Sequence, residues 1–320
     1  MKFRTEFTPQ KQERQIDHHA RIVLMGSCFS ENIGAKLDYY KFDVLNNPFG
    51  ILFHPLALEK AIRYCLEEKA YEAQDLIEHE GMWISLDHHG SFNHYDRETV
   101  LQRINENISK ASNALKIASH VIITLGTAWV YRWKESGQLV ANCHKIPQAR
   151  FTKELLDTQD IIECLRRTGK RIHALNPGTS VIWTLSPVRH LKDGFMENNR
   201  SKARLLEAIH TVSDQERSFY FPSYELMMDD LRDYRFYSQD LVHPNVLAID
   251  YIWEKFTNTW ISDPSRQVMQ EVEQIQKALH HKPFREDSEQ HRKFLAKLEE
   301  RIANLQKELP SIVFKKKGSD

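Results

Sequence analysis

Neither a GxGxxG turn nor a GxxxxGK[ST] loop occurs in the 320 residues, so the glycine-rich cradles that hold dinucleotides and nucleoside triphosphates are missing. Thr168-Gly169-Lys170-Arg171 comes nearest and lacks the hydroxyl residue after its lysine. The four cysteines, Cys28, Cys65, Cys143 and Cys164, form no CxxC pair, which argues for reduced thiols rather than a disulfide framework or a zinc site. Charge of one sign is also missing. Forty-four basic and 44 acidic residues cancel, so there is no global basic field for nucleic acid and nothing that points to a membrane. No apolar run approaches membrane-spanning length, and Met1-Lys2-Phe3-Arg4-Thr5-Glu6-Phe7 lacks the apolar core and cleavage site of a secretory signal. The expected location is the cytoplasm.

What is present is a repeating pattern of buried strand, polar break and helix. The apolar run 22–25 is broken by Gly26-Ser27, and helical spacing follows from Glu31. Residues 42–46 read as a second strand ending at Asn47-Pro48-Phe49-Gly50, and 56–68 as a helix. Residues 121–125 and 181–185 read as fully buried strands that end at Gly126-Thr127 and Ser186-Pro187. Helices are expected over 98–118, 152–168, 199–212, 224–231 and from Pro244 to about residue 260, with a hairpin over 131–141 and a last sheet strand near 219–221. The result is an α/β fold with a doubly wound parallel sheet. Beyond residue 264 the spacing of Val268, Val272 and Ile275, and of Phe294, Leu298, Ile302 and Leu305, gives a C-terminal helical hairpin joined near residues 280–283. Each stripe is expected to pack on its own domain, with homo-oligomer formation through these helices as the sharper alternative. The domains are then 1–264, the hairpin 265–310 and a tail 311–320.

The chemistry gathers where strands end. Ser27 follows the first strand, at the edge of an open α/β sheet where ligands bind, and is the expected nucleophile. Cys28 is its rival and is read as a small buried residue beside Phe29. A serine needs a base, and the base needs a partner that fixes its tautomer. Asp240-Leu241-Val242-His243 supplies both within one turn, although an aspartate there also suits a helix cap. The N–H groups of Ser27, Gly50 and the Thr127 region are the candidate oxyanion donors. His144 is expected to line the cleft or bond backbone. His88, His89 and His94 lack both the i, i+4 arrangement and a thiolate companion, so neither a metal nor a cofactor is expected.

Gly26-Ser27-Cys28-Phe29-Ser30, Asn47-Pro48-Phe49-Gly50, Leu125-Gly126-Thr127-Ala128-Trp129, Asn142-Cys143-His144-Lys145, Ser186-Pro187-Val188-Arg189-His190 and Asp240-Leu241-Val242-His243-Pro244 together resemble the GSCFA family. That family is placed with the SGNH/GDSL hydrolases, serine esterases and acyltransferases of a flavodoxin-like, three-layer α/β/α fold. The resemblance covers roughly residues 1–260 and leaves out the hairpin. It implies Ser27 as nucleophile, Gly50 as oxyanion donor and Asp240 with His243 completing a triad, while Asn142, His144 and Arg189 fall in blocks expected to meet substrate. One departure is Ala128, which stands where the wider superfamily has an asparagine; a side-chain donor then has to come from Thr127, Asn142 or nowhere. The expected function is hydrolysis of a small acyl ester, such as an O-acetyl group on a carbohydrate. The alternatives are transfer of the acyl group to a sugar, with Trp129, Tyr131 and Trp133 as a stacking platform, and a binding protein that has lost catalysis.

Overall fold

The computed structural model describes residues 5–213, 217–281 and 288–314. Its elements run β1 (Arg21–Gly26), α1 (Cys28–Tyr39), β2 (Asp43–Asn46), α2 (Pro55–Leu66), β3 (Ile77–His79), β4 (Met82–Ile84), α3 (Arg97–Ile117), β5 (His120–Leu125), β6 (Trp129–Trp133) and β7 (Leu139–Val140). They continue with β8 (Phe151–Leu155), α4 (Thr158–Leu175), β9 (Ser180–Leu185), α5 (Phe195–Ser213), β10 (Ser218–Phe221), α6 (Ser223–Glu225), α7 (Val246–Trp260), α8 (Asp263–His280) and α9 (Glu289–Glu308).

Five strands form one parallel sheet in the order β10-β9-β5-β1-β2. Side chains alternate across it. Val23 and Met25 of β1 join the core beneath α2, α3, α4 and α5, whereas Ile22 and Leu24 join the core beneath α1 and α7. Every residue of β5 and β9 is buried, as a strand covered on both faces requires. Burying one such aliphatic side chain stabilises the fold by about 1.5–3 kcal/mol. The expected three-layer α/β/α arrangement is thus present. In sequence order the strands read 2-1-3-4-5, which places the topological switch between β1 and β5 and opens a crevice at their carboxyl ends.

Two additions join the main domain. One is the antiparallel sheet β7-β6-β8 with the β3-β4 hairpin, built around Ile84, Trp133, Val140 and Phe151. The other is α8 with α9, whose apolar stripes close on each other through Val272, Ile275, Leu298 and Leu305 and on the main domain through Tyr40. The link expected at Lys282-Pro283 and the tail from Lys315 lie outside the described residues.

Three local expectations are corrected. Residues 152–155 are strand, because 151–155 pair antiparallel with β6; the helix starts at Thr158, where Asp157 accepts from the Asp160 N–H. The segment 224–231 is one helical turn followed by a π-helical stretch at Leu226–Leu231. Pro244 is not in the first turn of α7: Asn245 caps that helix through the Ala248 N–H, and Pro244 bridges Tyr237. No described helix is long and apolar enough to cross a membrane.

Candidate functional site

The turn after β1 is built on glycine. Gly26 has φ +141°, and a Cβ there would stand 2.2 Å from the Thr124 carbonyl oxygen, since the β5 backbone passes directly against it. The Asn47 side chain accepts from the Gly26 N–H at 2.9 Å, and the Leu52 N–H donates to the Gly26 carbonyl at 3.0 Å. The loop after β2 therefore fixes the turn from the other side.

Ser27 is not where the sequence reading needs it. It is fully buried, its N–H donates to the Thr124 carbonyl at 3.1 Å, and its hydroxyl accepts from the Phe29 N–H at 3.3 Å as the N-cap of α1. A capping hydroxyl turns back into its own helix, and here it is not exposed. Cys28, the first residue of α1, is the partly exposed member of the pair. Burial pushes its thiol up, Glu31 adds to that, and the charge of Lys202 opposes it. Cys28, expected as the buried one of the two, is partly buried, and Ser27 is the more buried neighbour.

The backbone oxyanion donors expected from the sequence are already engaged. The Gly50 N–H donates to the Asn47 carbonyl at 2.8 Å, and at φ +71° the glycine serves a turn in which a Cβ would lie 2.3 Å from the His89 Cβ. The Gly126 and Thr127 N–H groups both donate to the Phe53 carbonyl, at 2.7 and 3.1 Å. The Thr127 hydroxyl lies 3.1 Å from that of Ser201 and accepts from the Trp129 N–H. The Asn142 side-chain oxygen accepts from the His144 N–H at 2.9 Å. Its side-chain N–H₂ bonds no described residue, and of the donors named from sequence it alone stays available.

Asp240 and His243 do meet. Asp240 Oδ2 lies 2.6 Å from His243 Nδ1, and Oδ1 accepts from the Val242 and His243 N–H groups at 3.0 Å each. These backbone bonds, with the imidazole contact behind them, hold the carboxyl down at about 2. The ionised Asp240 fixes the proton on Nδ1 and leaves Nε2 as the basic nitrogen. Arg189 braces this loop: its Nη2 donates to the Leu241 carbonyl at 2.5 Å, and its guanidinium lies over the Tyr237 ring at 4.5 Å. It acts on the loop as well as on the cleft.

A cleft of about 600 Å³ opens here, lined by Phe53, Thr127, Trp129, Tyr131, Asn142, His144, Arg189, His190 and Val242, among others. His144 Nε2 bonds the Ser85 carbonyl at 2.7 Å, so this residue both lines the cleft and bonds backbone. Trp129 and Tyr131 share a face of β6 with Lys153 above them, whereas Trp133 is buried in the satellite core and cannot join a platform. A larger cleft of about 890 Å³ lies between α2 and the small sheet, and none of the residues of the β1 turn or the Asp240 loop line it. The smaller cleft meets the Asp240 loop at Val242. Among the described residues no group of three or more His, Cys, Asp or Glu side chains could hold a metal ion. His88 instead bonds Ser85, and His89 caps a short turn.

Sequence reasoning missed the α5 face that ties the crevice together. Asn198 accepts from the His190 N–H at 2.9 Å, Ser201 accepts from the Ala128 N–H at 2.7 Å, and Lys202 Nζ donates to the Gly126 and Ser186 carbonyls at 2.8 Å each. All three are buried. The signal was present: the buried stripe of Leu205, Ala208, Ile209 and Val212, extended back two turns, lands on them. His190, also unassigned, packs edge-on against Phe53 and has a buried Nε2 without a partner. Burial first, then the charges of Lys202 and His243, lower its pKa to about 3, so it stays neutral.

The GSCFA family profile matches residues 21–256, and that of the GSCFA domain protein C-terminal domain matches residues 272–318. No curated protein and no solved structure matches the chain. The first match spans the sheet, the β1 turn and the Asp240-His243 loop, and on that extent the chain belongs to the GSCFA family.

Proposed function

We propose that the protein hydrolyses a small acyl ester, such as an O-acetyl group on a carbohydrate, through an acyl-enzyme in which Cys28 takes the place expected of Ser27. The observation that carries this reading is the Asp240-His243 couple, preformed at 2.6 Å on the same sheet edge as a partly exposed thiol at a helix N-terminus. Ser27, by contrast, is fully buried. His243 Nε2 takes the thiol proton as sulfur attacks the acyl carbonyl. The tetrahedral oxyanion collapses, the alcohol leaves with the proton from His243, and a thioester remains on Cys28. Water then attacks the thioester, giving its proton to His243, and the acid and the thiol are released. Positive helix ends favour charge developing near their first turn. The resemblance of the sequence motifs to those of SGNH/GDSL hydrolases supports acyl-ester chemistry, and four free cysteines suit a reducing compartment.

Transfer to a sugar acceptor is the second reading, favoured by Trp129 and Tyr131 on the cleft wall. The test is intact-mass analysis after mixing with p-nitrophenyl acetate and with O-acetylated sugars. The expected result is one acetyl group on the Cys28 peptide in wild type and Ser27→Ala, and none in Cys28→Ala. An acetyl group on Ser27, or no covalent adduct, overturns the thiol reading; retention of cellular function in Cys28→Ala together with His243→Ala makes the protein a binding module instead.

A further inference from the structure

The two large clefts differ in how their charges are met. Four lysine and arginine side chains line the larger one, and each is neutralised: Lys60 by Asp87 at 2.6 Å, Lys69 by Asp75 at 3.0 Å, Arg63 by Glu67 at 3.5 Å, and Arg150 by Glu135. The cleft of about 600 Å³ is lined by Lys145, Arg189 and Lys192, and none of the three has a carboxylate within ion-pair distance among the described residues. Asp193, the one carboxylate among the described residues lining this cleft, is taken by Lys153. In a chain whose 44 basic and 44 acidic residues cancel, three unmatched cations around one hollow are a local excess of positive charge.

Two of these cations are built into position. The Cys143 carbonyl accepts from the Ile146 N–H at 2.9 Å, closing a turn whose central residues are His144 at φ +48° and Lys145 at φ +62°. Glycine or asparagine meets such a backbone with least strain, and neither is used here. The strained turn is anchored from two sides, by the Asn142 side chain on the His144 N–H and by His144 Nε2 on the Ser85 carbonyl. Arg189 is held by its bond to the Leu241 carbonyl and by the Tyr234 and Tyr237 rings, 5.2 and 4.5 Å from its guanidinium. The Arg189 N–H also donates to the Val242 carbonyl at 3.4 Å, so this charge stands beside the loop that carries His243.

We infer that the cleft selects an anionic substrate: an acylated sugar bearing a carboxylate or a phosphate, whose negative group meets Lys145, Arg189 and Lys192. The ester in this substrate rests on the hydrolase reading above; the anion rests on the charge of the cleft. A neutral sugar leaves three like charges uncompensated around it, whereas an anion gains from all three. Guanidinium and ammonium groups both accept either acid group, so the shared chemistry is a fixed negative charge on the sugar.

The test is calorimetric titration of the full chain with glucuronate, glucose 6-phosphate and glucose at low salt. None of these carries an ester, so the measurement stands whether or not any ester is hydrolysed. The two anionic sugars are expected to bind about tenfold more tightly than glucose; Lys145→Gln and Lys192→Gln should each weaken them about threefold, and the double variant about tenfold. Lys145→Asn removes the charge with a residue that suits the positive φ, so the same threefold loss there cannot come from a disturbed turn. Arg63→Gln, in the larger cleft, is expected to change nothing. In 1 M NaCl, where the screening length is about 3 Å, the preference for anions should largely vanish. A preference for glucuronate or for glucose 6-phosphate identifies the acid group, and equal affinity for those two means that the cleft reads charge alone; each outcome supports the inference. Equal affinity for all three sugars, no binding of either anionic sugar, an undiminished preference in the double variant, or inorganic phosphate bound as tightly as glucose 6-phosphate overturns it.

Discussion

The carboxylate of Asp240 contacts His243 twice over, through the ring Nδ1 at 2.6 Å and through the backbone N–H at 3.0 Å. One residue thereby sets both the tautomer of the imidazole and the shape of the loop that carries it. In Asp240→Asn the amide oxygen can still accept the two backbone N–H bonds, so the loop persists and the melting temperature changes by about 2 °C or less. The tautomer is lost, and turnover of a small ester is expected to fall on the order of 10³–10⁴-fold. Steady-state kinetics beside a thermal melt separate the two effects; equal loss of activity and stability would assign Asp240 to the fold alone.

Ser27 and Cys28 make opposite predictions. Removing the hydroxyl cap in Ser27→Ala should cost about 1 kcal/mol, read as a shift of the urea midpoint, with acylation retained. Cys28→Ala should leave stability within about 1 kcal/mol, since the thiol is partly exposed, and abolish acylation. Acylation lost in Ser27→Ala but kept in Cys28→Ala would return the nucleophile to the serine.

Gly26 admits no side chain. In Gly26→Ala the new Cβ meets the Thr124 carbonyl oxygen at 2.2 Å in a backbone conformation that strains any L residue, so β1 and β5 must separate exactly where the crevice forms. A loss of about 3 kcal/mol or more in denaturant stability is expected. An unchanged urea midpoint would show that the two strand ends are not held this close.

The large elements were legible because buried strands advertise themselves. Residues 121–125 and 181–185 are apolar runs cut off by Gly126 and Ser186, and the structure places both cuts on one edge of the sheet. The Asp240-His243 pair was legible because both residues sit in one turn. The relative exposure of Ser27 and Cys28 was not. Which of two neighbours caps a helix and which projects outward is set by the turn that Thr124 and Asn47 impose, and both lie far off in sequence. Residues 152–155 misled because a short strand running into a helix lends it apolar positions, and only the pairing with β6 separates the two. The polar start of α5 reads as solvent-facing until the loops it binds are in place.

His54 gives the fold a pH limit. It is fully buried at the start of α2, where Nδ1 accepts from the Ala57 N–H at 3.1 Å and Nε2 donates to the Val140 carbonyl at 3.0 Å. Both nitrogens are satisfied only in the neutral ring; a proton on Nδ1 breaks the cap. Burial lowers its pKa to about 4, and that of buried His88 likewise to about 4. Between pH 6.5 and 4 the unfolded chain therefore binds protons at these sites that the folded chain does not, so the contribution is complete above 6.5 and falls as the pH drops toward 4. Each ring contributes a slope approaching 1.4 kcal/mol per pH unit in that window. Urea titrations at pH 7, 5.5 and 4.5 should show the decline, and His54→Asn, which keeps a capping group and removes the titration, should reduce it by one proton. A variant as steep as wild type would mean that His54 already carries its proton in the fold.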